Sequence, residues 1–345
     1  MIEDINRRQK RKFKLALSAV IIASIVIFAV SLMVGQYGFI DPASLVKALF
    51  NVLGASYKLP QSYENIIQFI RLPRTLASFL VGGALSISGL VYQNTFNNKL
   101  ISPDILGVSA GACVGAGIAI LLGMNSGMIS IFAFAFGFLA VLITLALPKF
   151  FRNKSTITLV LAGIIVGAFM NSVIGLLKFL ADEDEKLAEI TFWMMGSVTG
   201  IKMKDVLYVT PLILIPMIVL ILMSHRIDVV SLGSEEASSL GVNYKRNRLI
   251  VIICSTILTA ASVSISGNVG WVGLVIPHIA RALTGNKSGE SLPVSFFFGG
   301  AFMMAVDIMS RTFSKDDIPL SIITGVLGAV IYSIVLVKKG RTINE

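Results

Sequence analysis

Side chains able to do chemistry are few in this sequence, and they are scattered. His225 and His278 are the only histidines, and Cys113 and Cys254 the only cysteines. None has metal-ligand spacing with another, so the cysteines read as small buried apolar residues and no metal site is expected. Away from the basic residues at cytoplasmic ends and Arg74, the charges inside the apolar stretches are Lys178 and Asp307, both near outer ends, and Asp307 precedes Arg311 by one helical turn. Such spacing predicts a local ion pair. Ion-coupled carriers place carboxylates or histidines at mid-membrane, and none stands there. Asn286 precedes Lys287 where a phosphate-binding loop requires glycine, so the chain is not expected to hydrolyse ATP by itself. No residue is nominated for catalysis and no cofactor for this chain.

Recognition is better represented. Arg71-Leu-Pro-Arg74 precedes an apolar stretch, with Pro73 as a helix-start signal, and Arg311 ends another stretch. Guanidinium groups at such mouths suit carboxylates on a partner. Asn171 and Ser172 lie in one apolar stretch with Gly163, Gly167 and Gly175; Ser321 and Thr324 lie in another with Gly325 and Gly328. In lipid, small faces allow close helix approach and polar atoms bond across it. The same faces would also line a polar path, and both readings stand. A loop at 233–242 carries a short helix, 235–240, ended by Gly241 between basic flanks. It is either an ordinary charged loop or a docking element for a cytoplasmic partner. The acidic run Asp182-Glu-Asp-Glu185 reads as a solvated loop.

The elements that position these residues follow from composition. The chain is 55% hydrophobic and 14% charged, with mean hydropathy +0.84. A soluble domain carries about 25% charged residues. The apolar blocks are continuous and do not alternate, which excludes a barrel and demands helices about 20 residues long. Ten spans are expected: 14–34, 74–93, 106–123, 128–148, 157–179, 206–224, 248–266, 271–284, 292–310 and 318–337. The eighth is short and contains Pro277 and His278. Residues 42–53 read as an amphipathic helix capped by Asp41, and 187–197 as another short helix. With the N-terminus inside, 19 of the 29 Lys and Arg fall on the cytoplasmic side, which puts both termini in the cytoplasm. The +10 net charge is therefore a topology signal and gives no reason to invoke nucleic acid.

An ordered set of motifs carries a resemblance. Arg71-Leu-Pro-Arg-Thr-Leu-Ala is followed by Gly82-Gly-Ala-Leu-Ser-Ile-Ser-Gly89, Gln93-Asn-Thr-Phe-Asn-Asn-Lys-Leu100 and Pro103-Asp-Ile-Leu-Gly-Val-Ser-Ala-Gly-Ala112. Then come Leu161-Ala-Gly163, Phe192-Trp-Met-Met-Gly-Ser197, the 233–242 loop, Gly270-Trp-Val-Gly-Leu-Val-Ile-Pro-His-Ile-Ala-Arg281 and Ile318-Pro-Leu through Gly328. In this order, over residues 70–335, the set resembles the FecCD family, the permease subunits of ATP-binding-cassette (ABC) importers for iron–siderophores, haem and cobalamin.

The resemblance implies an all-α, type II importer permease: one transmembrane domain over 1–345, with a cytoplasmic tail at 1–13 and a coupling loop at about 225–247. It implies a second permease subunit, identical or not, two cytoplasmic ABC ATPases that hold the ATP and magnesium, and an extracytoplasmic substrate-binding protein. The expected location is the bacterial cytoplasmic membrane, and the expected cargo a ferric siderophore, with haem or cobalamin as the alternative. An ion-coupled secondary carrier is the reading from a different class. By resemblance, Arg71, Arg74 and Arg311 face the binding protein, while Glu235, Glu236, Ala237, Ser238, Ser239, Leu240 and Gly241 form the coupling helix. Asn98, Leu100, Ser155 and Thr156 match gate positions of a family member that carries cobalamin, although Lys99 stands where that protein has proline. Gly167, Asn171, Ser172, Ser321 and Thr324 would line the path.

Overall fold

The computed structural model describes residues 2–52, 54–150 and 156–341. Ser155, one of the expected gate residues, lies outside them. Every regular element among the described residues is helical. The long ones are α1 (Ile2–Met33), α4 (Leu72–Thr95), α6 (Ser126–Ala146), α7 (Thr156–Leu180), α9 (Met203–Leu222), α12 (Tyr244–Ser266), α14 (Ser288–Thr312) and α15 (Leu320–Arg341). Shorter helices fill the order: α2 (Pro42–Val52), α3 (Gln61–Asn65), α5 (Val108–Leu121), α8 (Lys186–Met195), α10 (Ser224–Val230), α11 (Ser234–Ser239) and α13 (Val272–Thr284). Among the described residues seven helices are long and apolar enough to cross a membrane, and 108–121, 272–284 and 320–335 are shorter apolar helices.

These ten segments match the ten expected spans, with two differences. Not only the eighth but also the third is short: α5 and α13 have 14 and 13 residues, roughly 20 Å of rise against ~30 Å of hydrocarbon. The second expected span, with Pro73 at its start, is extended in the structure. The helix runs from Gln61 to Thr95, and Pro73 lies inside it. Proline has no N–H to give and its ring crowds the carbonyl four residues back. A π-helical turn over Ile66–Arg71 opens the backbone there, and the Leu72 N–H bonds the Ile67 carbonyl.

Helix α4 is the axis of the bundle and is buried along nearly its whole length, wrapped by α9, α12, α13 and α14. Its glycines permit this. A Cβ on Gly82 would stand 2.2 Å from the Gly299 carbonyl oxygen, and one on Gly89 1.8 Å from that of Gly273. Three pairs of interior polar side chains meet across helices: Ser88 with Thr259 at 2.7 Å, Tyr92 with Thr256 at 2.9 Å, and Ser31 with Thr75 at 2.7 Å. The expected 42–53 helix forms as α2, where the Asp41 carboxylate accepts from the Ser44 N–H at 3.0 Å.

Candidate transport path and docking surfaces

One end of the bundle gathers the three predicted arginines, but not as expected. They were expected to face outward toward a partner; instead Arg71, Arg74 and Arg311 are 1%, 7% and 4% exposed. Their donors are used within the chain. Arg71 caps the end of α1, donating Nη1 to the carbonyls of Leu32 (2.9 Å) and Met33 (2.8 Å) and Nη2 to that of Gly38 (2.6 Å). Arg311 Nη2 takes the Ser31 carbonyl at 2.7 Å and the Ser31 hydroxyl at 2.6 Å. Three successive carbonyls in the last turn of α1 thus meet guanidinium groups, where a helix has no donors of its own and is partially negative.

Arg74 completes the cluster. Its Nε bonds Asp307 Oδ1 at 2.6 Å and its Nη1 bonds Asp317 Oδ2 at 2.9 Å, while Arg311 Nε lies 3.3 Å from Asp307 Oδ2. The local Asp307–Arg311 pair read from sequence is present, within a larger network. Thr199 donates its hydroxyl to Asp317 as well. Burial raises the Asp317 carboxyl, but the hydrogen bonds from Arg74 and Thr199, with the charges of Arg74 and Arg311, outweigh it and hold the group below the usual range. Over the cluster lies a depression of about 530 Å³ lined by Gln36, Arg311, Ser314 and Lys315.

Of the expected path residues, Asn171 and Ser172 stand exposed near the middle of α7, on a face continued by Leu161, Ile164, Ile165, Phe169 and Leu176. A Cβ on Gly167 or Gly175 would meet nothing within 4 Å. Helix α15 presents an open face through Ile322, Val326, Val330 and Ile334; Ser321 is half-buried on it, and Thr324 is fully buried. Thr324 therefore packs inside the chain and does not line an open face.

The opposite end holds the predicted loops. After α4 the chain turns through Asn97 at φ +46°. Asn98 and Leu100 are exposed, and Asn98 Oδ1 accepts from the Leu100 N–H at 2.9 Å. Thr156 begins α7. Helix α11 covers 234–239, and Gly241 follows at φ +73°. Ala237 anchors it, fully buried, while Glu235, Glu236, Ser238, Ser239 and Leu240 face outward.

Comparison with known proteins agrees with this architecture. The family model described as the FecCD transport family matches residues 20–338. The chain belongs to the FecCD transport family. Its FecCD relatives include the molybdate import system permease protein MolB of Haemophilus influenzae, 33% identical over 314 residues, covering 90% of this chain and 92% of that one. A probable iron chelatin transport system permease protein of Helicobacter pylori is 37% identical over 268 residues, 78% of this chain and 81% of that one. A metal-chelate type ABC transporter solved in an inward-facing conformation superposes with a TM-score of 0.84 at 31% identity, covering 93% of this chain and 98% of that one. The chain is thus a multi-pass ABC importer permease of type II fold, a transport subunit and not an enzyme.

Several residues that organise this FecCD site escaped the sequence reading. Asp317, Thr199 and Ser31 close the arginine cluster from distant parts of the chain. Gln93 ties down the loop that follows α4: its backbone carbonyl accepts from the Asn98 N–H at 3.0 Å, and its Nε2 donates to the Ile101 carbonyl at 3.1 Å. Buried Arg281 donates to Gln93 Oε1 and so links α13 to the loop. Gln93 and Arg281 both sit in quoted motifs, which was the available signal; their pairing across 188 residues was not visible.

Proposed function

We propose that this chain forms half of the membrane path of an ATP-driven importer that carries a ferric siderophore handed over by an external binding protein. The observation that carries the reading is the open face of α7. Ser172 returns its hydroxyl to the Ala168 carbonyl at 3.1 Å, yet both it and the Asn171 amide stand exposed at mid-helix. Exposed amide in hydrocarbon is costly, so that face belongs against protein or a water-filled path. A second permease subunit, identical or related, would supply the other wall, with α15 beside α7. Walls of apolar and weakly polar side chains suit a bulky, preformed chelate, because tight binding in the path would slow release.

The cargo assignment draws support from relatives named for iron chelatin and for Fe(3+)-citrate, the latter 33% identical over 97% of this chain and 98% of its own. Other relatives are named for molybdate, cobalamin and hemin. In the reading proposed, α11 seats in a groove of a cytoplasmic ATPase through its outward Glu235, Glu236 and Leu240, and both termini lie in the cytoplasm. ATP closes the ATPase pair and the two permease halves rock, opening or closing a gate to which the loop holding Asn98 and Leu100 and the start of α7 at Thr156 contribute. The binding protein docks at the arginine end, on the rim that includes Gln36 and Lys315. Arg71, Arg74 and Arg311 hold that platform in shape and add their field to it.

The test is an uptake panel in proteoliposomes holding this chain, its ATPase and its receptor. A ferric siderophore should accumulate at least tenfold above haem, cobalamin or molybdate. Preferential uptake of any of those three would overturn the cargo assignment and leave the importer standing.

A further inference from the structure

Helices α6 and α9 both pack on α12, and a crevice opens between them at the end of the bundle that holds Thr199 and Asp317. It has two compartments that share Ser130, Asp205, Ser264 and Ile265. The upper one, about 210 Å³, is lined by Ser126, Ser197 and Thr199 as well as Asp205. The lower one, about 460 Å³, is walled by Ile131, Phe134, Val209 and Leu212, with Lys204 and Tyr208 at its rim. Its α6 wall runs from Gly127 to Ala135, roughly 12 Å of helix rise, close to the ~15 Å depth of one leaflet's hydrocarbon.

From this shape we propose that the crevice is a binding site for a zwitterionic phospholipid of the adjoining leaflet. The upper compartment mixes hydroxyls and a carboxylate with Ile129, Trp193 and Ile201, and it opens into a slot that is almost wholly apolar; a mixed chamber at interface level above an apolar slot at acyl-chain depth has the form of an amphiphile. Exposed Lys204 at the rim would meet the phosphate, and Asp205 the ammonium of the headgroup. The chain leaves the slot unfilled on its own: a Cβ on Gly127 would touch only the Asn125 side chain, and Ala135 is exposed. The bilayer is what covers a face at this depth, and an annular lipid passing an amphipathic slot gains both headgroup contacts and chain burial there. None of the path or gate residues takes part, and of the arginine network only Thr199 lines the upper compartment, so the proposal does not depend on the transport reading.

Native mass spectrometry of the assembled importer, extracted in mild detergent and washed free of bulk lipid, tests it. The wild type should retain phosphatidylethanolamine, one per permease chain. Ala135→Trp, which fills the slot, should cut retention at least tenfold, and Lys204→Glu should lower it several-fold. Leu139→Trp, one turn farther along α6, should retain lipid as the wild type does and controls for folding. Wild-type complex that holds no lipid, or equal retention in Ala135→Trp, would overturn the proposal. So would an efficient disulfide between two Ala135→Cys chains in the complex, because the crevice would then be a subunit interface.

Discussion

Arg74 reaches from α4 to Asp307 on α14, Nε to Oδ1 at 2.6 Å, with the aspartate fully buried. Asp307 also faces Arg311, so one carboxylate serves two guanidinium groups, and the pair joins the central helix to its most extensive neighbour. The charges expected to greet a partner are thus spent inside.

Removing one member of a buried ion pair costs about 3–5 kcal/mol, because the other is left uncompensated. Asp307→Asn leaves buried Arg311 without a carboxylate and Arg74 with Asp317 alone, and should cost about that much. Asp317, at the edge of the cluster, should cost clearly less as Asp317→Asn. Unfolding in mixed micelles titrated with a denaturing detergent gives both values, and equal losses would remove Asp307 from the centre of the network.

The acid limb of stability should report Asp317. Its folded carboxyl sits below the ordinary value, so its contribution is fully present above the unfolded pKa of about 3.9. That contribution is lost as pH falls through the lower folded value. Melting curves from pH 7 to pH 3 should show a loss of Tm below about pH 4 that is smaller in Asp317→Asn. An unchanged acid limb in that variant would contradict the assignment.

Two kinds of glycine should respond oppositely to alanine. Gly89→Ala drives a Cβ to 1.8 Å from the Gly273 carbonyl oxygen, with backbone on both sides and no flexible neighbour to yield. Overpacking of this sort costs about 1–3 kcal/mol or more. Gly167→Ala and Gly175→Ala meet open space and should leave stability unchanged or slightly raised through helix propensity. Thermal stability of the three purified variants checks this, and a tolerated Gly89→Ala would mean that α4 and α13 lie farther apart than described.

What the sequence made legible was whatever depends on local pattern. Hydropathy located the ten apolar segments, Asp41 and Pro42 marked α2, and Gly241 marked the end of the loop helix. Long-range partners were not legible. Arg74 looked like an exposed recognition residue because its neighbours in sequence give no carboxylate, and Asp307 and Asp317 arrive 233 and 243 residues later. Pro73 read as a helix start because a π turn that lets a helix run through proline leaves no distinct composition. Thr324 shared the helical stripe of Ser321, yet the packing of α15 on α13 and α14 buries one and half-exposes the other.

The central claim is that the exposed face of α7 that carries Asn171 and Ser172 lines a path worked by ATP. It is tested most directly by uptake of radioactive iron–siderophore into proteoliposomes containing this chain, its ATPase and its receptor, comparing wild type with Asn171→Trp. Uptake should require both ATP and receptor, and it should fall at least tenfold in the variant while the complex stays assembled and hydrolyses ATP. Uptake without ATP or receptor, or undiminished uptake in Asn171→Trp, would contradict the account.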